Sequence, residues 1–302
     1  MIDTKDKIIE YFSSGIKDTK NFRIGIEHEK FLFNKNNNKR VDYSKIKEMF
    51  QALQEFGWKP IFEKKNIIGL NKGGKNITLE PGNQIELSGD KLNHMHEACA
   101  ESQDYLFELE QVTKKLDIKI VSSGFDPFSK LEEIPNNPKE RYELMTKSMP
   151  LGGELSLDMM YRTCGTQLNI DYKSEDDFKK KFLVTNSIVP ITIALFANSS
   201  IVEKKNSNYL SYRSKVWQST SRGGLPKLFF EDLNFEKYAE FVMDFPILFI
   251  QHKDKYISGS KYKFSDFMSG KIDEIENRLP TENDLTTHLS TIFTENRLKK
   301  YI

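Results

Sequence analysis

The stretch IGIEHEK at residues 24–30 begins apolar and then alternates with charged residues, which predicts a β-strand over residues 23–33. Side chains alternate between the two faces of a strand, so Glu27 and Glu29 share a face. Two carboxylates on one face are costly to bury unless water or a cation accompanies them. The stretch therefore predicts a sheet with one polar face, which either is merely solvated or holds a cation.

A second stretch, ITLEPGNQIELS at residues 77–88, predicts two short strands joined by a turn at Pro81-Gly82. The apolar side chains of each strand share a face, and Glu80 and Glu86 lie opposite them. If these strands neighbour the first, four carboxylates converge on one polar face. Carboxylates that close have raised pKa values unless cations neutralise them. Oxygen ligands alone suit Mg²⁺ or Mn²⁺ rather than zinc.

A third stretch, TCGTQLNID at residues 163–171, predicts another strand of the same kind. Leu168 and Ile170 are expected to face the core. Gln167, Asn169 and Asp171 are expected to face the other way. The amides suit the orientation of a nucleotide or a metal-bound phosphate, although a simple exposed strand face explains the pattern equally well.

Arginines beside aromatic residues are a further candidate feature. Arg213 and Trp217 are four residues apart and share one face of a predicted helix. An arginine paired with an aromatic ring suits the binding of a small carboxylate, and it is also an ordinary surface pair. Arg141 lies at a predicted helical turn, and Arg162 leads into the third strand.

The rest of the chain alternates helical and strand patterns, which favours an α+β fold with a mostly antiparallel sheet. Ser44 is predicted to cap the second helix, and Pro190 to kink or break a helix over residues 174–196. Cys99 is expected to pack within a long helix, and Cys164 on the inward side of its strand. The remaining helices are predicted over residues 5–14, 44–57, 93–116, 138–147 and 235–245 and after Thr281, and the remaining strands over residues 58–62, 67–70, 119–123 and 247–251.

Composition narrows the class of protein. The 302 residues include 45 basic and 44 acidic side chains, a net charge of +1, which gives no overall attraction to nucleic acid or to a membrane surface. The most apolar stretch, residues 188–197, is half the length of a membrane span. No signal peptide, P-loop or dinucleotide-binding glycine motif is recognisable, and two cysteines cannot form a disulfide framework. A cytoplasmic protein is expected.

The motifs together resemble the glutamate–cysteine ligase family of the proteobacterial and plant type. The resemblance begins with IGIEHEKF at residues 24–31 and LEPGNQIELS at residues 79–88. Further motifs follow in the family's order at residues 124–127, 141–142, 157–164, 194–199, 211–217, 288–293 and 297–301. The resemblance thus covers nearly the whole chain.

This resemblance implies a glutamine-synthetase-like fold, an antiparallel sheet curved into a funnel with helices outside, in a single domain over residues 1–302. It implies ATP-dependent joining of the L-glutamate γ-carboxylate to the L-cysteine amine, the first step of glutathione synthesis, through a γ-glutamyl phosphate. The implied cofactor is Mg²⁺, with Mn²⁺ possible. The implied partners are ATP, L-glutamate and L-cysteine, with no nucleic acid or membrane. The chain is expected to be a monomer or weak homodimer, or to associate with a missing C-terminal fragment.

The resemblance also assigns roles to the candidate residues. The metal-binding acids are Glu27, Glu29, Glu80 and Glu86, and the residues on the nucleotide side are Gln167 and Asn169. The substrate-binding residues are Arg141, Arg213 and Trp217, and the catalytic residues are Arg213 and Arg162. Arg213 is best placed in the sequence to hold the glutamate α-carboxylate.

The chain departs from the family's pattern in three places. Ile26 stands where the family usually has threonine, and CGTQ at residues 164–167 replaces the commoner Cys-Thr-Val-Gln. Members of the family also continue well beyond the motif at residues 297–301, so a missing C-terminal part is expected. The alternatives left open are a non-catalytic or split protein that binds ATP or glutamate, and a related carboxylate–amine ligase that uses another amine.

Overall fold

The computed structural model describes residues 1–253 and 255–300, and combines helices with short strands. The helices are α1 Lys5–Ser13, α2 Tyr43–Leu53, α3 Met95–Lys115, α4 Glu140–Ser148, α5 Ser156–Arg162, α6 Glu175–Leu195, α7 Tyr212–Gln218, α8 Phe235–Asp244, α9 Phe264–Met268 and α10 Glu282–Ser290. The strands are β1 Ile24–Asn34, β2 Lys59–Glu63, β3 Asn66–Lys72, β4 Lys75–Leu79, β5 Ile85–Ser88, β6 Ile118–Val121, β7 Thr166–Ile170, β8 Ile201–Val202, β9 Lys205–Asn206, β10 Gly223–Gly224, β11 Phe249–His252, β12 Lys255–Ser258 and β13 Phe293–Thr294. Tyr301, in the motif at residues 297–301, and Ile302, the last residue of the predicted domain, lie outside the described residues.

The main sheet is antiparallel and is centred on β1, as an α+β fold predicts. Its strand order is β2-β3-β4-β5-β1-β6, and β7 also pairs with β1. Strand β5 lines one edge of β1, while β7 and β6 share the other edge. The eleven residues of β1 therefore bring the three predicted acidic and amide-bearing strands side by side.

Helices α2 and α3 cover one face of this sheet. The face carries Leu32, Ile85 and Leu87, which are buried with the apolar sides of both helices. His28 also lies on this face, where its Nε2 is 3.0 Å from Ser102 Oγ of α3. Because side chains alternate along β1, the opposite face receives Glu27 and Glu29.

A second core, rich in aromatic side chains, gathers α1, α6, α8, α9 and α10. Phe178 stacks on Phe235 with ring centroids 5.3 Å apart, and Phe12 meets Tyr238 edge to face at 5.5 Å. This core holds Leu298, whose backbone N–H donates to Tyr238 Oη at 3.0 Å. The last described residues are thereby fixed beside the main sheet.

The prediction that Leu168 and Ile170 of β7 face the core is wrong. Leu168 and Ile170 are 56% and 43% exposed, because β7 pairs only with β1 and no described element covers this end of the sheet. Asp171 is buried, but it pairs with Lys17 Nζ at 2.6 Å and accepts the backbone N–H of Arg23 at 2.8 Å. Alternation predicted which side chains share a face, but not which face would be covered.

Three further corrections concern helices. The N-cap of α2 is Asp42, whose carboxylate accepts the Lys45 N–H at 3.0 Å, while Ser44 donates to that same carboxylate. Cys99 is exposed on α3, outside the helix's apolar face. Pro190 does not break α6, which continues to Leu195, and a kink at Pro190 stays a prediction.

The second half of α6 carries apolar side chains on its solvent-facing side. Ile188, Ile191 and Leu195 are exposed, and Phe196, which follows the helix, is exposed as well. Despite this apolar character, no helix among the described residues is long and apolar enough to cross a membrane.

Candidate functional site

The four predicted carboxylates converge on the uncovered face of the sheet. Glu29 of β1 is directly opposite Glu86 of β5, and Glu27 lies two residues along the same strand. Glu80 follows the end of β4 in the turn that leads into β5. Alternation predicted that Glu27, Glu29 and Glu86 lie on polar strand faces, and the pairing of β1 with β5 meets the condition under which those faces become one.

Burial and mutual repulsion raise the pKa values of two of these acids. Burial is the largest cause for Glu29, whose pKa lies well above its ordinary range, and nearby Glu80 and Glu86 raise it further. Burial, followed by Glu80 and Glu27, raises the pKa of Glu86 to about 7. A cation at this face would relieve both penalties.

The donor set fits a hard divalent cation, because it consists of carboxylate oxygens on a partly desolvated face. However, in the part of the chain that the structure describes, no three His, Cys, Asp or Glu side chains are grouped closely enough to hold one metal ion. Repulsion between like charges favours this spreading of the four acids. The metal-binding role of Glu27, Glu29, Glu80 and Glu86 therefore remains a prediction.

The turn that carries Glu80 is fixed by buried polar groups. Asn137 Nδ2 donates to the Glu80 carbonyl at 2.6 Å, and Gln84 Nε2 donates to the Met160 and Thr163 carbonyls, both at 3.1 Å. Arg40, which the sequence did not single out, donates to the Gly82 carbonyl. These contacts hold the backbone at Glu80 in one position relative to the sheet.

Arg40 itself belongs to a fully buried ion pair. Its Nη1 lies 3.1 Å from Asp126 Oδ2, and neither side chain is exposed. The guanidinium also lies over the ring of Phe31, 4.7 Å from its centroid. Burying an arginine carries a desolvation penalty that such partners must offset. The same contacts therefore stabilise the buried charge and position the turn.

The amides of β7 lie next to Glu27, a contact that the sequence did not predict. Gln167 Nε2 and Asn169 Nδ2 donate to Glu27 Oε1 at 2.9 and 3.2 Å. Gln167 Nε2 also donates to Asn169 Oδ1 at 3.0 Å, and Gln167 Oε1 accepts from Arg297. These contacts orient Glu27 and tie it to the C-terminal residues.

Arg213 and Trp217 form the predicted pair on α7. The Arg213 guanidinium lies over the indole, 4.8 Å from the ring centroid. Its positive charge offsets part of the rise in the Glu29 pKa. The backbone approaches Arg213 closely at Gly165, where an added Cβ would be 2.9 Å from Arg213 Nη2. Arg213 Nε and Trp217 Nε1 are buried without a hydrogen-bond partner among the described residues. Two unpaired donors this close favour a polar ligand here.

Arg141 and Lys139 lie on the Glu80 side of the acidic face. Arg141 Nη2 donates to Tyr142 Oη at 3.2 Å, while its buried Nε has no partner among the described residues. Lys139 Nζ donates to the Leu79 carbonyl at 2.7 Å. Burial, reinforced by Arg141, lowers the pKa of Lys139 to about 8. Lys139 was missed, because the sequence shows it only as a lysine after a proline.

Arg162 makes its contacts elsewhere. Its guanidinium lies 2.9 Å from Asp158 and 3.3 Å from Glu203, and packs over Phe125 at 4.6 Å. No described contact joins Arg162 to the four carboxylates. Its predicted catalytic role therefore has no geometric support.

The C-terminal residues contribute three charges that the sequence did not assign to the site. Burial raises the pKa of Glu295, and the positive charge of Arg213 offsets part of this rise. Arg297 contacts Gln167, and Lys299 lies within electrostatic reach of Glu27 and Glu86. The sequence offered one signal for Arg297 and Lys299: they flank Leu298, and because Leu298 enters the aromatic core, its two neighbours point away from that core.

Together these features define the class of protein: an α+β fold whose antiparallel sheet bears a half-buried acidic face, bordered by arginines, lysines and amides that suit anionic substrates. The chain belongs to glutamate-cysteine ligase family 2, whose sequence profile matches residues 23–302.

Curated relatives extend this result. The chain is 42% identical over 303 aligned residues to the chloroplastic glutamate–cysteine ligase A of Oryza sativa subsp. japonica. The alignment covers 99% of this chain and 62% of the relative. The chain is 43% identical to the chloroplastic glutamate–cysteine ligase of Nicotiana tabacum, which covers 99% and 58%. The chain therefore spans about three fifths of the length of these relatives.

Proposed function

We propose that this chain carries the catalytic sheet of an ATP-dependent ligase that joins the γ-carboxylate of L-glutamate to the amine of L-cysteine. Membership of the family and the names of the relatives support this function. The observation that carries it is the half-buried acidic face, where the Glu29 and Glu86 pKa values are raised and unpaired donors of Arg213 and Trp217 lie close by.

The chemistry explains why such a site is needed. A carboxylate is a poor electrophile until it is phosphorylated. A γ-carboxylate oxygen attacks the terminal phosphorus of ATP and ADP leaves; the cysteine amine then attacks the acyl carbon, loses a proton, and releases inorganic phosphate. The protein contributes mainly by positioning the reactants and neutralising charge.

We assign the four carboxylates to divalent cations, Mg²⁺ or Mn²⁺, which would neutralise the phosphates of ATP. Gln167 and Asn169 orient Glu27 on the nucleotide side through their hydrogen bonds. Arg213, held between Gly165 and the Trp217 ring, is the group we assign to the glutamate α-carboxylate, and Arg141 is a second substrate-binding residue.

Several finer predictions accompany this proposal. The antiparallel sheet is expected to belong to a glutamine-synthetase-like funnel, and residues 1–302 to form a single domain. A cytoplasmic location and a monomer or weak homodimer are likewise predictions, which fractionation and light scattering would test.

The test is ADP release and γ-glutamylcysteine formation by the purified chain, with ATP, glutamate, cysteine and Mg²⁺ each omitted in turn. Turnover that requires all four supports the proposal. Turnover with cysteine omitted and another amine supplied would identify a related carboxylate–amine ligase. Stoichiometric ATP or glutamate binding by a folded chain that never turns over would identify a non-catalytic protein, and would contradict the proposal.

A further inference from the structure

The last described residues form a firmly anchored segment, residues 295–300. Leu298 is 4% exposed within the aromatic core, and its N–H donates to Tyr238 Oη. Asn296 Nδ2 donates to Asn186 Oδ1 of α6 at 2.8 Å. The backbone of Lys300 packs directly on Gly15, where an added Cβ would be 2.7 Å from the Lys300 carbonyl oxygen. The segment therefore presents its remaining side chains from a fixed backbone.

Arg297 projects from this segment toward β7. One of its terminal nitrogens donates to Gln167 Oε1, a neutral amide oxygen. Arg297 makes no ion pair with a carboxylate in the described part of the chain. A guanidinium has five N–H donors in a planar fork, so this single contact leaves most of its binding capacity open.

Lys299 lies beside Arg297 and is half-buried. Among residues 1–253 and 255–300, no carboxylate is within ion-pair distance of its ammonium group. Burial, followed by the positive charge of Arg297, lowers the pKa of Lys299, and the charges of Glu27 and Glu86 offset part of this shift. Two partly desolvated cations side by side repel each other, and a bound anion would remove that cost.

We propose that Arg297 and Lys299 form the binding site for the phosphate groups of the substrate nucleotide. The proposal rests on the proposed function, and it adds two residues that neither the motifs nor the relatives assign. A phosphate is favoured over a carboxylate because it offers more charge and enough oxygens for two adjacent cations. The pair also borders Gln167 and Glu27, on the nucleotide side of the face, whereas Arg213 lies beside Gly165.

The experiment measures binding of inorganic tripolyphosphate and of ATP, each with Mg²⁺, by titration calorimetry. Lys299→Gln is compared with Lys300→Gln, a matched control whose ammonium pairs with the surface residue Glu282 at 2.7 Å. We expect Lys299→Gln to weaken tripolyphosphate binding roughly tenfold or more, since hydrogen bonds to charged groups are the strong ones. Lys300→Gln is expected to stay within about twofold of the unmodified chain. Lys299→Arg retains the charge and should restore most of the affinity.

Arg297→Gln is the second variant, because it leaves Leu298 and the aromatic core unchanged; it should show a comparable loss if Lys299→Gln does not fold. Equal tripolyphosphate binding by the unmodified chain and a folded variant, or no binding by the unmodified chain, overturns the proposal. Failure of the ligase function is separate. If the ligase function is wrong, tripolyphosphate binding would still depend on Lys299, but no γ-glutamylcysteine would form. If only the phosphate site is wrong, the chain would turn over fully and Lys299→Gln would bind tripolyphosphate as well as the unmodified chain.

Discussion

Glu86→Gln separates the stability of the fold from the function of the acidic face. The pKa of Glu86 is raised from 4.5 to about 7, mainly by burial and then by Glu80 and Glu27. Each pKa unit corresponds to about 1.4 kcal/mol, so ionised Glu86 costs the metal-free fold about 3 kcal/mol at pH 8. Glutamine removes the charge and still accepts the Ser88 Oγ hydrogen bond, which is 2.8 Å long.

The sign of the effect follows from proton binding. Between pH 4.5 and 7 the folded chain binds more protons at Glu86 than the unfolded chain, so its stability falls as the pH rises through this window. Without metal, Glu86→Gln should therefore increase the free energy of unfolding by up to about 3 kcal/mol at pH 8, and by less than about 1 kcal/mol at pH 5. Function should change in the opposite direction: the Mg²⁺ concentration for half-maximal ADP release should rise roughly tenfold or more.

Urea unfolding with and without Mg²⁺, alongside ADP release, measures both effects. Glu110→Gln, on the exposed side of α3, is the control. Glu110 pairs with Lys114 at 3.4 Å, and such an exposed ion pair contributes little to stability. Mg²⁺ should stabilise the unmodified chain more than Glu86→Gln, because a ligand stabilises the state that binds it. A Glu86→Gln chain that is less stable at pH 8, or that keeps the same Mg²⁺ dependence, would refute this reasoning.

Three further predictions address other parts of the molecule. Arg213→Lys should weaken glutamate binding roughly tenfold or more with little change in melting temperature, because lysine lacks the planar fork; unchanged glutamate affinity by calorimetry would reject the assignment. Burial lowers the pKa of His288 to about 3, so unfolding takes up a proton between pH 3 and 6.5, and this group should make the chain about 2 kcal/mol less stable at pH 5 than at pH 7. In His288→Phe this contribution should be absent from urea unfolding curves; the same pH slope would disprove it. Gly15→Ala should displace residue 300, lowering the free energy of unfolding by about 1–3 kcal/mol and weakening tripolyphosphate binding, and a chain unchanged in both would contradict the anchoring contact.

The acidic face was predictable because its signal is local. Alternation places Glu27 and Glu29 on one face of β1 and Glu86 on the polar face of β5 in any tertiary arrangement. That these faces coincide depended on the pairing of β1 with β5, which the sequence offered only as a condition. The Arg213–Trp217 pair was predictable for the same reason, since four residues make one helical turn.

The remaining features depend on which distant segments meet. Leu168 and Ile170 alternate like core residues, but β7 lies at an edge where nothing described covers them. Arg40 and Lys139 become site-supporting groups only because carbonyls of the β4–β5 region lie beside them in the folded chain. Such contacts between residues far apart in the sequence leave no periodic pattern to read.

Ser44 illustrates a smaller limit of the sequence. Asp42 and Ser44 are both favourable N-cap residues two positions apart, and the backbone selects Asp42, whose carboxylate also accepts the Ser44 hydroxyl at 2.7 Å. Local preference therefore located the start of α2 to within two residues but could not choose between neighbouring caps.

The most direct test of the proposed chemistry uses L-glutamate with ¹⁸O in its γ-carboxylate, together with ATP, L-cysteine and Mg²⁺. The γ-glutamyl phosphate route breaks the bond between the acyl carbon and a glutamate oxygen, so the released inorganic phosphate should carry one ¹⁸O atom by mass spectrometry. Phosphate without label, released at the same rate whether or not cysteine is present, would show simple ATP hydrolysis and would contradict the account.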